Sequence, residues 1–506
     1  MDAFASGLQW DKIGMKNHHG ICLPLFSIRN PDSHGIGEFL DLLPLITWCK
    51  EIGFDVIQLL PLNDSGHDPS PYSAHSAMAL HPIFLSLGAL PFSEEYSQEL
   101  AAMKTCNSSK RVRYHKVLQA KEAFLKRYTK RALPEFRKKS SFQAFLKEEW
   151  LDGYARYRVL KELNGELPWW QWQNTPTALS QDDLDHHKLV QYLCFEQFTQ
   201  VKQAADSAGV FIKGDIPILI NRDSADVWEH PELFDMNFAA GAPPDYYAKE
   251  GQYWGFPLYR WDVLEKSGYS WWKKRLKLAE KLYHIYRLDH LVGFFRIWAI
   301  PEGKKATDGF FFPQDQNLWI PQGEKIMRMM LANCSMLPIG EDLGDVPPSV
   351  RECMSRLGIC GTKVMRWEKH WDTSKDFIKP ADYIPLSMTT LSTHDSEPLE
   401  MWWDVNQEEA KQFAQSLNIP FTELLCPDTR QAVLQASHHT ASMFHINLLQ
   451  EYLDVFDDLT WEDPDDDRIN IPGQVLERNW TYRFLPTLQQ IITHKPLAAM
   501  MKSLKN

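Results

Sequence analysis

The 506-residue chain has no apolar run approaching the roughly 18 residues of a membrane span, so no spanning helix is expected. It has no surplus of positive charge. Lys and Arg number 54 against 66 Asp and Glu, a formal charge of −12, which argues against nucleic acid as a main partner. The eight cysteines (Cys22, Cys49, Cys106, Cys194, Cys334, Cys353, Cys360 and Cys426) form no CxxC pair, and no HExxH occurs. Neither a disulfide framework nor a zinc site is expected, and reduced thiols in a cytoplasmic protein are the simplest account. No basic stretch followed by an apolar one opens the chain, so no secretory signal is read. Internal repeats and low-complexity tracts are also missing.

What is present is the composition of a folded protein: 44 % hydrophobic and 24 % charged residues, with a mean hydropathy of −0.38. The length suits about three domains, or one large barrel carrying insertions. Aromatic residues reach 12 %, with 19 tryptophans. A large core accounts for part of this, and a cleft with flat faces for ligand stacking would account for the rest.

Seven short apolar runs end in polar or glycine-rich turns: 20–26, 54–62, 210–218, 285–290, 336–341, 359–367 and 388–395. Their length and β-branched content predict buried strands. Helical periodicity lies between most of them, as in 272–284 with Leu276, Ala279 and Tyr283 on one face. Alternating strands and helices point to an α/β architecture with a parallel sheet, and the number of units favours a (β/α)8 TIM barrel over an open sheet. Nearly 150 residues separate the second and third runs, more than one crossover needs. Mainly helical subdomains are therefore expected at 63–205, with helical stretches near 110–131 and 143–163, and a loop-rich insertion at 221–270. Residues 104–139 hold 13 Lys and Arg against 2 acids and are read as a solvated helix face. Residues 451–467 hold nine acids and no base, without the spacing of a calcium loop, and are read as an exposed acidic loop.

Three acids fall at the carboxyl ends of separate strand candidates: Asp289 in RLDH, Glu341 in GEDLG and Asp395 in STHD. In a parallel barrel those ends form one face, where active sites are built. A single Asp after a strand is commonly a helix cap. Three carboxylates converging on one rim are harder to justify structurally and favour chemistry. Arg287 lies two residues before Asp289 and so shares its strand face, where a guanidinium would favour the ionised carboxylate.

Taken together, HGIGEF (34–39), SPYSAHSA (70–77), WLDGYARYRVLKE (150–162), GDIPILINRDSADVW (214–228), GAPPDYYAKEGQYWGFPLY (241–259), RLDHLVGF (287–294), GEDLG (340–344), STHD (392–395), RINIPG (468–473) and NW (479–480) resemble the 4-α-glucanotransferases, or amylomaltases, of the α-amylase clan. The resemblance runs through nearly the whole chain. It implies that Asp289 is the nucleophile, Glu341 the general acid and base, and Asp395 the transition-state stabiliser. Arg287 and His394 are implied neighbours in the same subsite. Ser70 and Tyr72 are implied as a contact edge and a stacking platform, Asp245, Gln252 and Trp254 as a grip over the cleft, and Asn470 as a late substrate contact. It implies α-1,4-glucans and maltooligosaccharides as partners, no cofactor and no metal, and it leaves the oligomeric state open.

The chain departs from the family pattern at His81-Pro82, Leu291-Val292, Gln474 and Arg478, none of them among the three acids. The implied reaction is a retaining double displacement through a covalent glycosyl-enzyme, with Glu341 protonated near neutral pH. A sugar 4-hydroxyl as acceptor makes a transferase, whereas water makes an α-1,4-glucan hydrolase. Tyr246, Tyr247, Tyr253 and Trp254 in the 241–257 loop are the candidate lid that would exclude water. A glucan-binding protein without catalysis is a third reading, against which the three acids stand.

Overall fold

The computed structural model describes residues 7–244, 249–371 and 373–505. Its central sheet contains β1 (His18–Leu23), β2 (Val56–Leu59), β3 (Phe211–Ile216), β4 (Ile285–Leu288), β5 (Leu337–Gly340), β6 (Gly361–Val364), β7 (Ser387–Thr390) and β8 (Phe444–Leu448). Hydrogen-bonded neighbours run β5-β4-β3-β2-β1-β8-β7-β6, every pair parallel. The seam between β5 and β6 closes through a parallel bridge at Ile339 and Cys360, where the Gly340 N–H donates to the Cys360 carbonyl at 2.8 Å. A side chain completes the seam. Asp342 Oδ1 accepts from the Thr362 N–H at 2.7 Å, and the Thr362 hydroxyl donates to the Gly340 carbonyl at 2.9 Å. Only a residue without a Cβ fits at Gly361, since a Cβ there would lie 2.7 Å from Asp342 Oδ1. The result is a closed (β/α)8 barrel.

All seven runs read from the sequence overlap strands, and each strand ends before its run does, so Asp289 and Glu341 directly follow strand ends and Asp395 lies five residues past Thr390. The eighth strand, Phe444–Leu448, has no counterpart among those runs. Its apolar residues alternate with His445 and Asn447, both buried. His445 Nδ1 lies 3.0 Å from the Ser437 carbonyl, and Asn447 Oδ1 accepts from the Leu391 N–H at 2.9 Å. Inside the barrel, alternate residues of β3 make layers. Phe211 packs edge-on to His18, which stacks on Phe444 at 4.8 Å. Above it Lys213 is fully enclosed, donates to Gln58 Oε1 at 2.7 Å and is pushed down to about 7 by burial. Asp215 forms the top of the column.

Between β2 and β3 run helices Tyr114–Phe136, Ser140–Phe145, Glu149–Leu163 and Gln181–Ala208. The first buries Val117, Leu118, Lys121, Phe124, Leu125 and Tyr128 at helical spacing. Most of its bases lie on the outer face, whereas Lys121 is buried and donates to Glu38 at 2.6 Å. The last of these helices starts at the Ser180 cap and ends at Gly209 in left-handed backbone, φ 68°. A four-stranded antiparallel sheet, ordered Phe310–Phe312, Ile297–Pro301, Phe238–Ala242, Gln252–Tyr253, stands beside the end of β4. No helix among the described residues is long and apolar enough to cross a membrane.

Candidate active site

Strand register decides which side chains meet. Leu288 of β4 pairs with Gly340 of β5, so the next residues, Asp289 and Glu341, emerge side by side. Arg287 pairs with Asp215 of β3 and, two residues from Asp289, projects to the same face. Its Nη1 lies 2.9 Å from Asp215 Oδ2, 3.1 Å from Asp215 Oδ1 and 2.8 Å from Asp289 Oδ1. The Asp215 side chain is fully enclosed, and the Tyr72 hydroxyl donates to it at 2.8 Å. Breaking a buried ion pair of this kind costs about 3–5 kcal/mol, so Arg287 and Asp215 fix the base on which Asp289 stands.

Glu341 is anchored by backbone. Its Oε2 accepts from the His290 N–H at 2.8 Å and its Oε1 from the Leu343 N–H at 3.3 Å. His290 holds φ 46° and ψ 52°, a left-handed conformation uncommon outside glycine, and in it the N–H reaches Glu341. The residue after Asp289 therefore orients Glu341.

Asp395 arrives on the loop after β7. Asn470 Nδ2 donates to its Oδ1 at 2.7 Å, and His394 Nε2 lies 3.3 Å from its Oδ2. His394 stacks on Tyr72 at 5.2 Å, and Trp480 packs against both rings at 5.6 and 5.7 Å. Tyr72 thus links Asp395 to the Arg287 cluster, and the three acids share one constellation. The loop itself hangs on Arg366, which is fully buried. Arg366 Nε donates to the Leu391 carbonyl at 3.0 Å, and its Nη2 to Ser392 Oγ at 3.1 Å, Ser396 Oγ at 2.9 Å and the Glu397 carbonyl at 2.8 Å.

Environment separates the protonation states. Burial pushes Glu341 up to about 7, and Asp289 adds to this, against Arg287 and the His290 N–H. Burial alone would raise Asp395 too, but His394, Asn470 and Arg287 outweigh it and hold the group at about 2. Burial lowers His290 to about 4, so it is neutral at neutral pH. A protonatable acid beside a carboxyl that a guanidinium holds in place can give a proton to a leaving oxygen while that neighbour attacks carbon. Among the described residues, no three or more His, Cys, Asp or Glu gather in a way that could hold a metal ion.

Of the remaining residues singled out from sequence, Trp254 stands edge-on to His290 at 4.9 Å and donates to Gln252 Oε1 at 3.0 Å, which places the antiparallel sheet beside the acids. Ser70 lies on the Tyr72 turn, its N–H donating to Asp68 Oδ1 at 2.9 Å, and no contact joins its hydroxyl to the acids. Asp245, Tyr246 and Tyr247 lie outside the described residues, and Tyr253 is 52 % exposed. Of the departures from the family pattern, His81 is buried against the Tyr114 hydroxyl at 2.7 Å, Leu291 and Val292 are buried, and Arg478 pairs with Asp465. Sequence reasoning missed Asp215, His290, Arg366 and Trp480. Asp215 carried a signal, an acid ending a strand run within GDIPI. His290 and Trp480 lie within the RLDHLVGF and NW motifs without a role assigned to them, and Arg366 carried none, because its partners at 391–397 are remote in sequence.

The family model for 4-alpha-glucanotransferase matches residues 23–489. A 4-alpha-glucanotransferase of Chlamydia caviae is 43 % identical, over 96 % of this chain and 94 % of its own length. One from Thermus thermophilus is 31 % identical, over 90 % and 93 %. Among solved structures, the amylomaltase from Streptococcus agalactiae in complex with acarbose superposes with a TM-score of 0.83 at 24 % identity, over 97 % of this chain and 99 % of that one, a likeness of fold.

Proposed function

The chain belongs to the 4-alpha-glucanotransferase family, and on that premise we propose a double displacement in which Asp289 is the nucleophile and Glu341 the acid and then the base. An oxygen of Asp289 attacks the anomeric carbon of an α-1,4-linked glucose as the bond to the departing 4-oxygen breaks. Glu341 gives its proton to that oxygen, and the shortened glucan leaves. The glucosyl ester removes the negative charge of Asp289, one of the causes that raise Glu341, so Glu341 stays ionised once its proton has gone and stands ready as the base. The acceptor's 4-hydroxyl loses its proton to Glu341, its oxygen attacks the same carbon, and Asp289 is released. Two inversions retain the α configuration.

Asp395, held low by His394 and Asn470, is the fixed anion that binds hydroxyls of the reacting sugar. Tyr72, packed on His394, and Trp254, packed on His290, supply aromatic rings for the sugar beside the acids. The substrates are α-1,4-glucans and maltooligosaccharides. A cytoplasmic setting is supported by eight unpaired cysteines, seven of them buried.

The observation that carries the reading is the pairing of Asp289, fixed by Arg287, with a neighbouring Glu341 poised near 7. The test is incubation with maltotriose alone. Glucose plus maltopentaose and longer products at constant total reducing ends supports transfer, whereas rising reducing ends would mean that water is the acceptor and the hydrolase reading holds.

A further inference from the structure

Three of the tryptophans fall within four residues, Trp169, Trp170 and Trp172, on the loop after helix Glu149–Leu163. Two are tied inward. Trp169 Nε1 donates to the Arg222 carbonyl at 2.8 Å, and its backbone N–H donates to Asp223 Oδ1 at 3.2 Å. Trp172 Nε1 donates to the Leu167 carbonyl at 2.8 Å, and its ring packs on Tyr157 and Trp228 at 5.5 and 5.9 Å. Trp170 differs. It is 48 % exposed, stands edge-on to Trp169 at 5.6 Å and carries the Arg222 guanidinium 5.5 Å from its ring centre. A cation–π contact and one aromatic edge hold the indole, and the rest of the ring is open to solvent.

Its mounting ties together the end of the antiparallel sheet, the Tyr72 turn and helix Glu149–Leu163. Arg222 Nη1 donates to both oxygens of Glu302, at 3.1 and 3.0 Å, and Glu302 directly follows the sheet strand Ile297–Pro301. Asn221, next to Arg222, donates from Nδ2 to the Ser73 carbonyl at 3.2 Å, one residue beyond Tyr72. Asp223 accepts from Lys161 at 2.5 Å and from the Tyr157 hydroxyl at 2.9 Å. The exposed side chains of Gln171 and Gln173 follow the ring in sequence and offer donors and acceptors for hydroxyl groups. A large exposed indole whose mount is tied through Asn221 to the Tyr72 turn suits the apolar C–H face of a sugar better than it suits core packing.

We propose that Trp170 is the stacking platform of an outer subsite for long α-1,4-glucan chains, beyond the sugars gripped around the three acids. This rests on the transferase reading above. A short donor ends before reaching it, whereas a long one lays a further glucose ring on the indole.

The test compares kcat/KM for maltotriose and for amylose in the full-length protein and in its Trp170→Ala and Trp170→Phe variants. In Trp170→Ala the amylose-to-maltotriose ratio should fall about three- to tenfold, the worth of one aromatic contact, and the loss should sit in KM for amylose. Trp170→Phe, which keeps a flat ring, should restore most of the ratio. An unchanged ratio, or an equal loss on both donors, overturns the subsite. Failure of the unaltered enzyme to disproportionate maltotriose would instead overturn the transferase reading, so the two are told apart.

Discussion

Replacing Glu341 by Gln should destroy turnover and stabilise the fold, with a pH dependence that follows from the site. Burial raises this carboxyl from 4.5 to about 7. A group raised in the folded state keeps its contribution below the unfolded value and loses it as pH climbs through the folded one. The parent enzyme should therefore lose stability between about pH 4.5 and 7 on account of this residue. A shift of about 2.5 units at 1.36 kcal/mol each gives about 3 kcal/mol at pH 8, of which about 1 kcal/mol is already lost at pH 5. Gln is neutral throughout and retains an oxygen to accept from the His290 N–H. With an unfolding entropy of about 2 cal/mol/K per residue, a chain this long changes by about 1 °C per kcal/mol. Glu341→Gln should then melt about 3 °C above the parent at pH 8 and about 1 °C above it at pH 5, by calorimetry at one scan rate. Its turnover of maltotriose should drop about 10³-fold, and parental kcat/KM should decline above pH 7. A variant no more stable than the parent at pH 8, or a gap that does not change with pH, would refute the reasoning that half-buried Glu341 is desolvated and proton-loaded.

Two further outcomes test other parts of the constellation. A maltosyl fluoride donor needs no proton on its leaving group, so Glu341→Gln enzyme should still form the first ester and, lacking its base, accumulate it. Mass spectrometry of the quenched protein should find the sugar on the peptide containing Asp289, and attachment elsewhere would remove Asp289 from its role. Arg366→Lys keeps the charge but cannot reach four acceptors in the 391–397 loop, so kcat should fall about tenfold or more with KM changed less, as expected when Asp395 is displaced. Equal kcat in parent and variant would show that the loop holds its shape without this fork.

The chemistry of the chain was legible locally. The apolar runs marked seven of eight strands because strand length and β-branched content are local properties, and the acids stood at the ends of those runs. Phe444–Leu448 escaped because two of its five residues, His445 and Asn447, are polar and interrupt the apolar run, although both are buried in the fold. Helix Gln181–Ala208 has caps that sequence can show, yet its polar composition masks its buried stripe. At the site, sequence alone determined which carboxylates exist and that Arg287 shares a strand face with Asp289. Only the closed barrel decided that Arg287 also holds Asp215, that His290 orients Glu341, and that Tyr72, His394 and Trp480 form one aromatic wall. The proton on Glu341 belongs to the tertiary structure as well. A carboxyl's affinity for its proton is set by the water taken from it and the charges brought near it, and residues far apart along the chain supply both only once the sheet has closed.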